Sequence, residues 1–274
     1  MKYIVLFENF DPFSHLTSTT DVTVPEHDKK SCVLGFTVKG NEKIRNPYLS
    51  LPAGYTCPNA GKCKTMAVKD PITGRVKLKD FGEFRCYAAN DEVKYPNLYD
   101  RNWGNYNLIL AQETKEDIVK LIDRSFKFHF SHFPRYFRIH ESGDFFSQKY
   151  FDAWVEFTQK HPEIIVYGFT TSLKFWVNRL NDIPDNFRLT ASKGGKQDNL
   201  IEKHNLRYVD IVRNVEEAIE KRLQIDINDK LASSDSDQPF AILVHGGQPK
   251  GSAWSKDITK NRELIKQLKN QGLS

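Results

Sequence analysis

From residue 106 onward, short apolar runs alternate with helical periods about five times, and this alternation constrains the fold more than any single motif. A helix is expected over about 114–130. Thr114 and Asp117 make a capping-box-like start, and Ile118, Val119, Ile122 and Phe126 share one face. Residues 136–140 read as a strand ending in E-S-G-D. Ser147 then caps a helix in which Tyr150, Phe151, Trp154, Val155 and Thr158 keep the helical period. Residues 164–169 are the next strand, ending in T-T-S, followed by a helix through 175–180 that Pro184 stops. A strand at 187–190 ends in A-S-K-G-G, and a short helix follows near 197–203. After it come a strand at 208–212, a helix at 215–223 capped by Asn214, and a strand at 240–244 ending in H-G-G. A last amphipathic helix carries Ile258, Leu264, Ile265 and Leu268.

Such alternation implies a parallel sheet with right-handed crossovers. The strands are short apolar runs without strict alternation, as expected when both faces are covered. With the strand-like run before Cys57 the count is about six. The expected class is therefore α/β, a partial (β/α) barrel of about six parallel strands, with an open doubly wound sheet as the second choice. A small β-rich N-terminal lead, residues 1–45, precedes the barrel-like domain, 46–274. The lead has β-branched runs at 20–24 and 32–38, and Cys32 in the second of these is expected in the core. Residues 57–105, within the main domain, are an insertion expected to be loop-like, with D-P-I-T-G at 70–74 as a turn.

The chain has 274 residues, of which 39% are hydrophobic and 12% aromatic, enough for a sizeable core. The net charge of +5 comes from 40 basic and 35 acidic residues in no long block, so an anionic partner is permitted but not argued for. The apolar run at the N-terminus stops at Glu8, too short for a signal peptide or a bilayer span. A soluble cytoplasmic protein is expected, with no membrane partner.

In a cytoplasm, clustered thiols are more often metal ligands or reactive groups than disulfides. Cys57, Cys63 and Cys86 form C-x5-C-x22-C within a segment poor in apolar runs, which a metal would order. Three thiolates leave one coordination position open, as in a chemically active centre. Three readings stand: an iron–sulfur cluster; zinc, with His140, His245 or another residue as fourth ligand; and thiols buried as small hydrophobes.

Ligands of parallel β/α folds bind beyond the carboxyl ends of the strands. Those ends supply the remaining candidates. Glu141, Ser142, Gly143 and Asp144 offer carboxylates to an ammonium and a close backbone approach. Thr170, Thr171 and Ser172 offer hydroxyls to a ribose or phosphate. Ser192, with Lys193 and two glycines, and His245 with Gly246 offer backbone N–H groups that suit anions. Each of these is also ordinary turn chemistry. The aromatic-rich stretch 126–137 is expected to be core packing rather than a base-stacking surface, and R-V-K-L-K at 75–79 a solvated hairpin.

The combination L-P-A-G-Y-T-C-P-N-A-G-K-C … C-Y-A, R-I-H-E-S-G-D-F-F-S-Q-K-Y-F-D-A-W and Y-G-F-T-T-S-L resembles the gene product 88 family of phage and bacterial proteins, over roughly residues 48–195. Members of that family look like divergent relatives of radical S-adenosylmethionine (SAM) enzymes. The resemblance implies a radical-SAM/TIM-like barrel with a [4Fe–4S] cluster on Cys57, Cys63 and Cys86. Glu141–Asp144 would then stand where the superfamily has a Gly-Gly-Glu turn holding the methionine amino group, and Thr170–Ser172 would lie near the ribose. It implies an enzyme of the host cytoplasm acting on an unknown substrate, a nucleotide or nucleic acid in a phage setting. The spacing departs from the superfamily's usual C-x3-C-x2-C, and the Gly-Gly-Glu turn is replaced. Two other functions remain expectations: a zinc-stabilised nucleic-acid-binding or nuclease-like protein, and a phage accessory protein that acts on a host factor by a protein interface.

Overall fold

The computed structural model describes residues 32–40, 44–79 and 83–270. Its centre is a six-stranded, wholly parallel sheet. The strands are β3 (Tyr136–Ile139), β4 (Ile165–Thr170), β5 (Phe187–Ser192), β6 (Tyr208–Val212), β7 (Gln224–Ile225) and β8 (Phe240–Leu243), in the order β3-β4-β5-β6-β8-β7. Beyond β3, residues 47–51 run alongside as a further parallel edge. Leu49 N donates to Arg138 O, Arg138 N to Pro47 O, Glu141 N to Leu49 O and Leu51 N to Ser142 O. Among the described residues no pairing joins β7 to the opposite edge.

The helical periods fall where the side chains dictate. Helix α3 (Lys115–His129) starts at Thr114, whose hydroxyl accepts from Asp117 N at 3.1 Å. Helix α4 (Gln148–Lys160) starts at Ser147, and α7 (Val215–Glu220) at Asn214, which accepts from Glu217 N at 2.9 Å. Helix α5 (Leu173–Val177) begins two residues before its expected start and is shorter, and α6 (Asn199–Lys203) is short as expected. Helix α8 (Ala253–Asn270) closes the described chain.

The main core packs α3 and α4 onto one face of β3, β4 and β5 through Phe126, Phe137, Ile139, Trp154, Phe157 and Val166. Within the stretch 126–137, Phe126 and Phe137 are core, with rings 4.6 Å apart, while Phe128 is exposed. On the same side, α7 and α8 meet β6 and β8 through Val212, Ala218, Leu243 and Ile265. Side chains alternate along each strand. The other face therefore shows Tyr136, Arg138, Ile165, Tyr167, Phe169, Val209, Phe240 and Ile242. This inner face is covered at its amino end by the polar loop 226–239 and at its carboxyl end by the cysteine segment.

Two expectations need correction. The segment 57–105 is not mainly loop. After the hairpin β1 (Met66–Lys69) and β2 (Val76–Lys79), which turns at D-P-I-T-G, it forms α1 (Tyr87–Lys94) and α2 (Pro96–Leu110). Those helices are ordered by rings and small residues, with Tyr99 and Trp103 packed on Ala67 and Tyr55. In the N-terminal lead, residues 32–38 form no strand and make one isolated bridge, Thr37 with Tyr48, while the run at 20–24 lies outside the described residues. Cys32 is half-buried. Among the described residues no helix is long and apolar enough to cross a membrane.

Candidate functional site

The carboxyl ends of the inner-face strands and the cysteine segment enclose a cavity of about 150 Å3. Its wall brings together Cys57, Cys63 and Cys86 with Glu141, Ser142, Gly143, Asp144, Thr170, Thr171, Ser192 and His245. Of the residues expected from the strand ends, Ser172, Lys193, Gly194, Gly195 and Gly246 stand outside the lining.

Backbone contacts hold the cysteine segment over the sheet. Gly143 has φ +83°, and a Cβ there would lie 2.5 Å from Thr56 Oγ1 and 2.7 Å from Leu51 Cβ. Only glycine lets the turn after β3 pack this closely on the segment leading to Cys57. Gly246, also at φ +83°, faces Tyr87 in the same way, with Cα 2.8 Å from the added Cβ. Lys62 N donates to Gly194 O at 3.0 Å. Gln248 closes a reciprocal pair with Arg85, accepting from its N at 2.9 Å and donating to its O at 2.8 Å. The glycine turns after β3, β5 and β8 are thus docking points for the cysteine segment.

The three cysteines are half-buried as residues, but their sulfurs are enclosed. Burial pushes the Cys63 thiol up to about 11 and the Cys86 thiol up to about 12. Burial raises Cys57 well above the ordinary value too, and the charges of Asp144, Cys63 and Cys86 add to this. Three thiolates close enough to repel one another are stable only beside a compensating cation. The donor chemistry and the open side of the cavity therefore fit a cationic cofactor. Among the described residues, however, no group of three or more His, Cys, Asp or Glu side chains is arranged to hold a metal ion.

The carboxylates divide the work. Asp144 is buried and already accepts four hydrogen bonds, from Phe145 N (2.7 Å), Thr170 Oγ1 (2.6 Å), Thr171 N (2.8 Å) and Thr171 Oγ1 (2.7 Å). Burial raises its pKa despite these bonds. Ser172 Oγ donates to Phe145 O at 2.7 Å. The hydroxyl protons of Thr170, Thr171 and Ser172 are therefore spent on tying the end of β4 to the end of β3. Glu141 accepts from Ser50 Oγ at 3.1 Å and lines the cavity, while its carbonyl accepts from the Tyr87 hydroxyl. The Tyr87 ring stacks on His245, centroids 4.4 Å apart.

Among the described residues, three buried side chains of the cavity wall carry an atom with no partner: Nδ1 of His140, Oγ of Ser142 and Nε of Arg138. His140 stands at φ +61°, an uncommon conformation for a non-glycine residue. Its Nε2 lies 3.0 Å from the Tyr150 hydroxyl. Burial, then the nearby Arg138 charge, lowers its pKa to about 3, so the ring is neutral at physiological pH.

Sequence reasoning passed over Arg138 and Asp229, which also line the cavity. Arg138 Nη1 contacts Asp229 Oδ2 at 2.7 Å, and both side chains are buried. The Arg138 guanidinium lies over Phe169, 4.9 Å from the ring centroid. A lone arginine within the apolar run Y-F-R-I was the available signal. Its partner sits 91 residues away in the polar loop.

Comparison with curated proteins and with solved structures gives no match. The model of one protein family, described as gene product 88, matches residues 23–267, which include all three clustered cysteines, every strand of the sheet and the whole cavity wall. That match spans most of the chain, so the chain belongs to the gene product 88 family.

Proposed function

We propose that this chain is an iron–sulfur enzyme of the radical-SAM type, built on a partial barrel. One observation carries the proposal: three cysteines of one segment line one cavity at the carboxyl ends of a parallel sheet whose helices cover one face. That is where β/α folds keep their chemistry. Cys57, Cys63 and Cys86 would hold a [4Fe–4S] cluster, losing their protons as they bind it. With cluster and SAM bound, the chemistry supplied is one-electron cleavage of the sulfonium and release of a carbon radical.

The protein's own groups then have distinct tasks. Glu141 is the carboxylate for the ligand ammonium, since both oxygens of Asp144 are committed to the chain. Asp144, Thr170, Thr171 and Ser172 brace the two strand ends. His140 Nδ1 and Ser142 Oγ offer unused hydrogen-bonding capacity inside the cavity. Phe84, Tyr87 and Phe169 give it apolar walls on which a nucleobase would stack.

Purification without oxygen, with iron, sulfide and zinc measured alongside an absorbance spectrum, tests this. About four irons per chain and a broad visible band are expected. Cys57→Ala, Cys63→Ala and Cys86→Ala should each lose colour, and the wild type should form 5′-deoxyadenosine from SAM under reduction. Stoichiometric zinc, no metal, or unchanged colour in Cys57→Ala would refute the proposal.

A further inference from the structure

At the amino end of the inner face lies a second cavity, of about 540 Å3, lined by the starts of β3, β4 and β5 and by the loop 228–235. It does not share the cysteine wall. Ile165, in this cavity, and Thr170, in the other, are separated by the length of β4, roughly 16 Å at about 3.3 Å per residue. The partition between them is Asp229, flanked by Asn228 and Lys230, which belong to the second cavity.

The lining is strongly basic. Arg45, Arg135, Arg188 and Lys230 face one carboxylate, Asp235. None of the four makes an ion pair among the described residues. Across the chain as a whole the two signs are nearly balanced, 40 against 35, so a four-to-one wall is a local concentration. Like charges gathered at a concave surface repel one another and raise the local concentration of anions. Arg188 is fixed in place: a terminal nitrogen donates to the Ser233 carbonyl, while its Nε is buried without a partner. Arg45, Arg135 and Lys230 are exposed and able to close on an occupant. The Arg135 guanidinium lies 5.5 Å from the centroid of the Tyr136 ring, whose edge forms part of the wall.

From this geometry we infer that the basic cavity is a binding site for a small molecule carrying two or more phosphates, of nucleoside di- or triphosphate size. Its volume falls within the roughly 300–1,000 Å3 of small-molecule sites. Guanidinium forks match phosphate oxygens in pairs. An occupant would not reach the cysteines, so this site is separate from the one assigned to the chemistry.

Titration calorimetry on the full chain, with pyrophosphate, ATP and adenosine as probes, tests the inference. Pyrophosphate and ATP should bind once per chain, more weakly as salt rises, and adenosine should not bind. The double variant Arg135→Glu/Lys230→Glu should weaken ATP at least tenfold. Lys127→Glu, an exposed charge reversal on α3, should leave it unchanged. Cys57→Ala should also leave it unchanged, so the outcome does not depend on the iron–sulfur proposal. Arg135 and Lys230 are exposed, and an unshifted melting temperature will show that the double variant is folded. No binding of either anion at millimolar concentration, or equal affinity in the double variant, would overturn the assignment. So would tight, length-dependent binding of a single-stranded oligonucleotide without saturable pyrophosphate binding.

Discussion

Glu92 gives the sharpest test of how the cysteine segment is held. It is fully buried on α1, and its Oε1 accepts from Ala53 N at 3.1 Å and Asn102 Nδ2 at 2.7 Å. Its Oε2 is buried without a partner. Burial pushes the carboxyl from 4.5 up to about 8, even against those two hydrogen bonds. The folded state therefore binds more protons than the unfolded state between these values, and stability falls as pH rises through that window. The contribution is fully present below pH 4.5 and is lost as pH passes 8. The slope is about 1.4 kcal/mol per pH unit, so about 3 kcal/mol is lost between roughly pH 5.5 and pH 7.5. Glu92→Gln keeps a carbonyl for Ala53 and Asn102 but has no charge to bury. Urea unfolding of both proteins across this range should show the variant gaining about 3 kcal/mol on the wild type from the acid end to the neutral end. Asp144 and Asp226, whose pKa values burial also raises, are present in both proteins and cancel in the difference. A difference that stays flat within about 0.5 kcal/mol would mean that Glu92 is ionised in the fold and that the burial argument is wrong.

Asp229→Ala should cost about 3–5 kcal/mol, because it strands the buried Arg138 charge. Arg138→Met with Asp229→Ala should cost less than Asp229→Ala alone, and equal losses would show that the pair is not coupled. Gly143→Ala should cost about 2–4 kcal/mol from backbone strain plus the clash with Leu51 and Thr56. Gly74→Ala has a similar φ of +66° but open space, and should cost about 1 kcal/mol; equal thermal shifts for the two would remove close packing as the reason for Gly143.

Local signals were read correctly where local physics decides. Thr114, Ser147 and Asn214 cap helices because their side chains reach the third residue's N–H, a contact within one turn of chain. The parallel sheet followed from the alternation, and with it the gathering of six strand-end turns at one end of the molecule. Helices α1 and α2 were missed because their buried faces are ringed and polar: Ala88, Ala89 and Glu92 in one, Tyr99, Asn102, Trp103 and Asn105 in the other. Aliphatic periodicity is weak there, and the helices are stabilised by contacts such as Asn102 with Glu92 and Asn105 with the Gly35 and Ser50 carbonyls. The Arg138–Asp229 pair was illegible for a similar reason, since its partners are joined only by the tertiary fold.

The strand-end residues themselves show how far residue type alone can carry an assignment. Hydroxyls and glycines were read as groups available to a ligand, because exposed turns offer them to solvent or substrate. Here the cysteine segment packed over those turns takes up the glycines, and the turn after β3 takes up the hydroxyls. Thr170, Thr171 and Ser172 spend their protons on Asp144 and Phe145, and Gly246 makes room for Tyr87. What the segment leaves unspent is a smaller set. His140 Nδ1, Ser142 Oγ and Arg138 Nε have no partner, and burial holds the three thiols in their protonated form. A buried group without a partner costs stability, and these atoms keep hydrogen-bonding capacity that an occupant of the cavity could satisfy. The groups to substitute first are therefore those the fold has not satisfied, and the hydroxyls that looked most like ligands belong to the frame.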